Sequence, residues 1–545
     1  MAEYKAPERE IRFVLREVLN LDQLAELDAY AEATPDIIDG VLDEAAKFIE
    51  SKLVPLREPG DAQGCTLKDG VVTVPDGYAD AYREFQQSGW VGLANETQWG
   101  GQGLPYTLSK VVEEMVCSAN VAFDLYPSLT TGCFEALQAH ASDADKQTYL
   151  PKLGTGEWTG TMCMTEPQAG SDLAAVRTRA VKQDDGSYRI HGTKIFITSG
   201  EHEMADNIVH YVLARCEDSP PGVKGLSTFI VPKFLVNEDG SLGERNAVRC
   251  QSIEHKMGIN ASCTCVLDFD GAVGTIVGQQ NQGIMNMFTM MNLARIMVGY
   301  QGLGQAELAT QNAVRYAQER IQGKTLSGGE GPIADHPDVR RMLLTMKALT
   351  EGARVMAYET ALHVDLAKAH SDAGVREEAQ DWVELTTPLV KAFCTDLAVE
   401  LGSSAIQVYG GHGFISEHGI EQILRDSKIL CLYEGTNGIQ AMDLVRRKLQ
   451  LHGGRLPQRF FDRVRVAIGD ADAELRYLSR PLDEALSALE DATQWLRDRF
   501  ADRPNDAGAG AVEYLRAFSL VMLGYNWLRM ATAIDGHPDA DFRRQ

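Results

Sequence analysis

SYRIHGTKIFITSG, residues 187–200, alternates apolar with polar side chains and stops at Ser-Gly, the pattern of a β-strand closed by a turn. It does not stand alone. IVHYVLARC (208–216), LSTFIVPKFLV (226–236) and TCVLDFDGAVG (264–274) are further short β-rich runs separated by Asp-Gly and Gly-Ser punctuation, and together they predict a compact β domain from about 159 to 278. On both sides the spacing is helical. Before it, Ile38, Val41, Leu42, Ala45, Phe48 and Ile49 recur at threes and fours, as do Val111, Val112, Met115 and Val116. After it come three long helical runs, 287–323, 339–369 and 382–410, which predict a bundle with antiparallel neighbours. The expected fold is therefore mainly α with a central β domain: a helical region 1–158 with a leading segment, the β domain 159–278, a helical bundle 279–450 and, beyond the break LHGGRLP, an additional helical domain 455–545.

The totals agree with that division. A chain of 545 residues with 44% hydrophobic and 24% charged side chains is ordinary globular composition for two to four domains. Its formal charge of −25, with no segregated basic run, argues against nucleic acid and anionic membrane surfaces as partners. The ten cysteines form no C-x-x-C pair, which predicts reduced thiols and no disulfide framework. The N-terminus is charged through its first dozen residues, and no segment approaches about 18 uninterrupted apolar residues, so a soluble, untargeted, cytoplasmic protein without a membrane span is expected.

Several motifs fail on inspection. Gly323-Lys324-Thr325 imitates the end of a phosphate-binding loop, but position 318 is glutamine and no strand precedes it, so a helix end followed by a Gly-rich loop is expected. The glycine clusters at 99–105 and 409–414 lack the strand, G-x-G-x-x-G and helix order of a dinucleotide fold. His202-Glu203 has no second histidine, and Cys263 with Cys265 has no matching pair, so no metal site is expected. By contrast, TGTMCMTEPQAGSDLAAVRTRA (159–180) gathers Thr, Gly, Ser and Asp at the entrance to the β domain, which suits either turn formation or the binding of a polar ligand. KIFITSG brings an aromatic and a threonine to the end of a strand, a shelf on which a planar ring could lie. In CLYEGTNGIQ (431–440), Glu434 is the sole charge, directly behind the apolar run Ile429–Tyr433.

MTEPQAGSD (164–172), KIFITSG (194–200), ERIQGKT (319–325), QVYGGHGF (407–414), RDSKI (425–429) and YEGTNGIQ (433–440) occur in the order and approximate spacing of acyl-CoA dehydrogenases, a family the chain resembles over roughly residues 40–450. The long C-terminal extension, YKAPEREIRFVL, SIEHKMGI, FTMMNLAR, HPDVRRMLLTMKA and EGTNGIQAMDLVRRK resemble its larger bacterial branch, which includes 3-methylmercaptopropionyl-CoA dehydrogenases. The resemblance implies an N-terminal helical domain, a middle β-barrel or sandwich and a C-terminal bundle around one FAD per subunit, with an acyl-CoA as substrate. It implies flavin contacts from Met162, Met164, Thr165 and Ser171, with Ser171 also near CoA, and cover of the flavin's other side by Phe196 and Thr198. Many relatives carry tryptophan where Phe196 stands, so stacking is retained without an indole N–H.

By the same resemblance Arg320, Gln407, Gly410 and Gly411 reach the FAD of a partner subunit, which implies a homodimer or a higher homo-oligomer. Asn292 and Arg295 match positions that meet CoA, although several relatives have aspartate at the first; Pro337 replaces a glutamine of smaller relatives, so His336-Pro337 is left out of the cofactor set.

Removing a proton α to a thioester requires a base with a raised pKa, which burial beside apolar groups supplies to a carboxylate. The resemblance assigns that role to Glu434, with hydride passing to flavin N5 to give trans-2-enoyl-CoA, and with the Glu434 backbone N–H and a ribityl hydroxyl as donors to the thioester oxygen. Relatives that carry the base on the earlier helix place it where this chain has Ala294. Gly435 gives the chain room to turn beside substrate, and Thr436 or Asn437 caps the following helix and offers donors to the flavin. The expected electron acceptor is an electron-transferring flavoprotein; the alternatives are an acyl-CoA oxidase, which uses oxygen, and a DNA-associated flavoprotein of the same superfamily.

Overall fold

The computed structural model describes residues 2–326 and 328–534. It divides into two compact units, one of residues 51–104 and 120–294, the other of residues 1–50, 105–119 and 295–545.

In the unit of 51–104 and 120–294, seven strands form one sheet: β1 Thr159–Cys163, β2 Arg179–Lys182, β3 Tyr188–Thr198, β4 Ile208–Cys216, β5 Leu226–Pro232, β6 Val248–Ile253 and β7 Thr264–Val277. The pairing runs β6-β7-β3-β2-β4-β1, and β5 joins β7 to β4, so β7, β3, β2, β4 and β5 close into a ring. This resolves the expected barrel or sandwich as a small barrel. Strands β4 and β5 are buried almost along their whole length, which is why they read as continuous apolar runs, whereas β7 alternates. Val209, Tyr211, Leu213, Leu226 and Ile230 from β4 and β5 pack with Phe134, Leu137, Leu150, Leu153 and Trp158 of the helical segments of the same unit.

That unit also holds a hairpin, Thr66–Lys68 with Val71–Thr73, which the helical reading of 1–158 missed. Its signal was Asp69-Gly70, both with left-handed φ (53° and 80°), the geometry of a two-residue hairpin turn.

The other unit is helical. Helix α1 is Pro35–Phe48, with Thr34 accepting from the Ile37 N–H and proline at the first position. Helix α2 is Gly283–Glu319, assigned to this unit from Arg295 onward. Helices α3 Pro337–Ala369 and α4 Ala373–Tyr409 pack against each other, and α5 Ile420–Lys428 and α6 Asn437–Arg446 lie on α4. In its core the fully buried Arg354 of α3 is hydrogen-bonded to Glu114 (2.9 Å) and to Glu307 of α2 (2.6 Å). Long helices at the expected positions agree with the sequence periodicity.

Beyond Glu319 the expected Gly-rich loop is instead a small hairpin, Ile321–Lys324 paired with Glu330–Pro332. The extension supplies α7 Arg455–Asp470, α8 Arg476–Asp502 and α9 Ala511–Ile534. It shares the bundle's packing: α9 lies against α3 and α6, where Trp527 Nε1 donates to the Ala348 carbonyl (2.8 Å) and Asn526 Nδ2 to that of Gly352 (3.1 Å). Among the described residues no helix is long and apolar enough to cross a membrane.

Candidate active site

Glu434 sits on a turn that few residues adopt. Its φ is 54° and that of Gly435 is 84°, two successive left-handed positions between Cys431 and the start of α6. Glycine tolerates this freely; glutamate does so at a cost that the surrounding structure must hold in place. The fixing contacts are local. Thr436 caps α6 by accepting from the Ile439 N–H (3.3 Å), Gln440 Nε2 donates to the Glu434 carbonyl (3.3 Å), and the Tyr433 hydroxyl donates to Gln301 Oε1 of α2. Of the two capping candidates, Thr436 is the cap. The Asn437 side chain turns to α4, donating to Asp396 (2.7 Å) and Thr395 (2.9 Å) and accepting from Lys391 Nζ (2.7 Å).

This turn leaves the carboxylate in an unusual state. Glu434 as a whole is half-buried, but its Oε2 is fully buried and has no hydrogen-bond partner among the described residues. The buried end, not the average over the side chain, governs its titration. Desolvation pushes its pKa up to about 7, against the opposing pull of Arg295 and Lys391. Arg295, on α2, is thus the one expected CoA-binding residue whose charge acts at Glu434, and Ala294 before it is buried and apolar. Asn292, three residues earlier, is exposed.

The β domain presents a second group of expected residues. Met162 lies in β1 paired with Tyr211 of β4; Met164 and Thr165 follow in the loop, which is tied down by Lys194 Nζ donating to the Met164 carbonyl (2.9 Å) and the Ile195 N–H donating to that of Thr165 (2.9 Å). Lys194 also meets Glu166 Oε1 at 2.9 Å, and Glu166 further accepts from the N–H groups of Arg177 and Thr178 and from the Thr178 hydroxyl. Neither Glu166 nor Lys194 was singled out in the sequence, although both lie inside the quoted motifs. A register shift in the β3–β7 pairing falls between Lys194 and Ile197. At this bulge Phe196 takes φ 59°, which turns its ring outward, 59% exposed beside the half-buried Thr198. Phe196 is thus an exposed aromatic on a strained strand end whose neighbours Lys194 and Ile195 hold the loop that goes on to the exposed Gly170 and Ser171, a surface of the kind that receives a planar ring.

Arg320 directly follows α2, Gln407 lies in the last turn of α4, and Gly410 and Gly411 directly follow α4. Tyr316 and Tyr409 stack there at 3.9 Å, and the Tyr316 hydroxyl bonds His412 Nδ1 at 2.8 Å. Gln407, Gly410 and Gly411 are exposed, and a Cβ on either glycine would meet nothing within 4 Å. No cluster of metal-ligating side chains occurs among the described residues.

Comparison with known proteins matches four family domains along the chain: acyl-CoA dehydrogenase, N-terminal domain, at 39–157; middle domain at 161–272; C-terminal domain at 281–449; and acetyl-CoA dehydrogenase C-terminal like at 460–544. The 3-methylmercaptopropionyl-CoA dehydrogenase of Ruegeria pomeroyi is 46% identical over 94% of this chain and 88% of its own. A butyryl-CoA dehydrogenase of Syntrophomonas wolfei is 35% identical over 95% and 87%. The crystal structure of Caenorhabditis elegans ACDH-11 in complex with C11-CoA shares the fold, with a TM-score of 0.80 over 97% of this chain and 88% of its own at 21% identity. The chain therefore belongs to the acyl-CoA dehydrogenase family, and with it to the FAD-dependent oxidoreductases.

Proposed function

We propose that this protein dehydrogenates a short linear acyl-CoA to the trans-2-enoyl-CoA, with Glu434 as the base for the α-proton. The observation that carries the reading is the Glu434 carboxylate, whose Oε2 is buried without a hydrogen-bond partner among the described residues, so that desolvation pushes its pKa up to about 7. A fully paired carboxylate would be a poor base; this one accepts a proton at neutral pH with little penalty in either state. Bound FAD supplies the two-electron acceptor for the hydrogen leaving the β-carbon. Met162, Met164, Thr165, Ser171, Phe196 and Thr198 are assigned to its binding, with Thr436 and, from a partner subunit, Arg320, Gln407, Gly410 and Gly411; the Asn437 side-chain amide, expected to offer donors to the flavin, is instead taken up by Asp396, Thr395 and Lys391 of α4, which leaves only its backbone for that role. Asn292, Arg295, Gly435 and Ser171 are assigned to acyl-CoA. The Glu434 backbone N–H, for which the chain supplies no acceptor among the described residues, is assigned to the thioester oxygen, whose charge grows as the α-proton leaves.

The names of the Ruegeria and Syntrophomonas relatives support a short acyl group, of the size of butyryl or 3-methylthiopropanoyl, and a dehydrogenase rather than an oxidase, for which an electron-transferring flavoprotein is the proposed acceptor. A homodimer is supported by the exposed Phe414 (86%) and Ile415, three and four residues beyond Gly411. The DNA-associated alternative finds no support in the extension, because Arg455, Arg459 and Arg463 are engaged by Asp381, Glu377 and Glu378 of α4.

The test is bleaching of the FAD spectrum by straight-chain acyl-CoAs from C4 to C18 and by 3-methylthiopropanoyl-CoA. The short members should bleach it fastest, and Glu434→Gln should keep FAD yet lose turnover by about 10³-fold or more. Normal turnover by that variant would sink the assignment, and oxygen consumption with peroxide release would move the protein to the oxidases.

A further inference from the structure

Lys391 lies in the middle of α4, in the run TTPLVKAFCTDL, and is wholly buried. A buried lysine is expected to meet a carboxylate. This one does not: among the described residues no carboxylate lies within ion-pair distance, and its Nζ donates to a neutral amide oxygen, Asn437 Oδ1. Asn437 begins α6, three residues after Glu434. A glutamine at 391 offers an N–H to the same amide, so the hydrogen bond alone does not require lysine; what lysine adds is charge.

We propose that Lys391 tunes the base: its buried ammonium, anchored through Asn437 to the turn that carries Glu434, holds the Glu434 carboxylate ionised near neutral pH. The inference rests on Glu434 being the base. Desolvation disfavours the carboxylate, and the two cations that oppose it are Arg295 from α2 and Lys391 from α4. Arg295 also feels Asp443, Glu384 and Arg447, so its field is shared. Lys391 faces Cys431 and Asp396 besides Glu434, and Arg295 repels it. Burial brings its own pKa down to about 8, so it remains mostly protonated where Glu434 titrates. Lys391 touches neither the reacting atoms nor the cofactor in this reading; it acts through the charge and placement of another residue.

The acid limb of kcat/KM against pH reports this directly, because it follows the base in the free enzyme. Lys391→Gln and Lys391→Met should move that limb up by about one pH unit, the size one nearby buried cation can exert, with the alkaline plateau changed far less. Lys391→Arg should hold it near the wild-type position. The same shift should appear without turnover, in the protonated-carboxyl infrared band identified by its absence from Glu434→Gln. A limb and band unmoved in folded, FAD-bound Gln and Met variants would overturn the proposal, as would failure of both neutral variants to fold while the arginine variant folds, which would make Lys391 purely structural. Turnover by Glu434→Gln would instead remove the base assignment itself, so the two failures are distinguishable.

Discussion

Glu166 and Glu434 are both withdrawn from water, yet their surroundings drive them in opposite directions. Burial pushes the Glu166 pKa up, but Lys194, Thr178 and the Arg177 N–H outweigh it and bring the carboxyl down to about 2. At Glu434 desolvation wins over two cations at a distance, and the carboxyl rises to about 7. The difference lies in partners: Glu166 accepts from Lys194, Arg177, Thr178 and Gln168, whereas one Glu434 oxygen accepts from nothing among the described residues. A saturated carboxylate is a fixed ion that holds a loop in shape; an unsaturated one is poised to exchange a proton.

Removing the fixed ion should produce the larger structural effect. Glu166→Gln leaves Lys194 buried without its counter-charge, and loss of one partner of a buried pair costs about 3 kcal/mol. The pair's net worth is smaller than the Glu166 shift alone suggests, because burial also lowers the Lys194 pKa. The variant should unfold earlier in urea and release FAD, since the same lysine holds the Met164 carbonyl. Unchanged stability would mean that the loop is held by other contacts. Since the folded pKa of Glu166 is depressed, its contribution should be fully present above about pH 4.5 and lost as pH falls towards about 2.

Glu434→Gln should do the reverse. A carboxyl whose folded pKa is raised makes the native state progressively less stable as pH rises from about 4.5 to about 7, and the penalty then stays constant. The glutamine variant should thus be more stable than the wild type at pH 8 by about 1–3 kcal/mol, and nearly equal to it at pH 4.5. Equal stability at both pH values would show that Glu434 is solvated in the free enzyme, and the contrast with Glu166 would collapse.

How far the sequence reveals this contrast depends on the range of the interactions involved. The helical runs and the β domain are legible because their periodicities are local, and the six ordered motifs identify the family. The apolar run before Glu434 announces its desolvation. What is not legible is long-range: Lys391 lies 43 positions before Glu434 and meets its turn only through the packing of α4 against α6, and Lys194 reaches Glu166 across 28 residues. The outward aim of Phe196 depends on a bulge that breaks the alternation visible in KIFITSG. The hairpin after Glu319 escaped for the opposite reason, since GKTLSGG has the composition of a loop and pairs over only a few residues.

The smallest effect separates the shape of the Glu434 turn from its charge. Thr436 satisfies the Ile439 N–H at the start of α6, and Thr436→Ala should cost about 1 kcal/mol, the usual value of an N-cap. Because the cap sits two residues after the base, its loss should loosen the left-handed pair Glu434-Gly435 without altering either cation that acts on the carboxylate. The expected signature is a fall in kcat of a few-fold with the acid limb of the pH profile unmoved. A limb that moved with Thr436 would show that position, as much as desolvation, sets the Glu434 pKa, and that the partner count distinguishing it from Glu166 is only part of the cause.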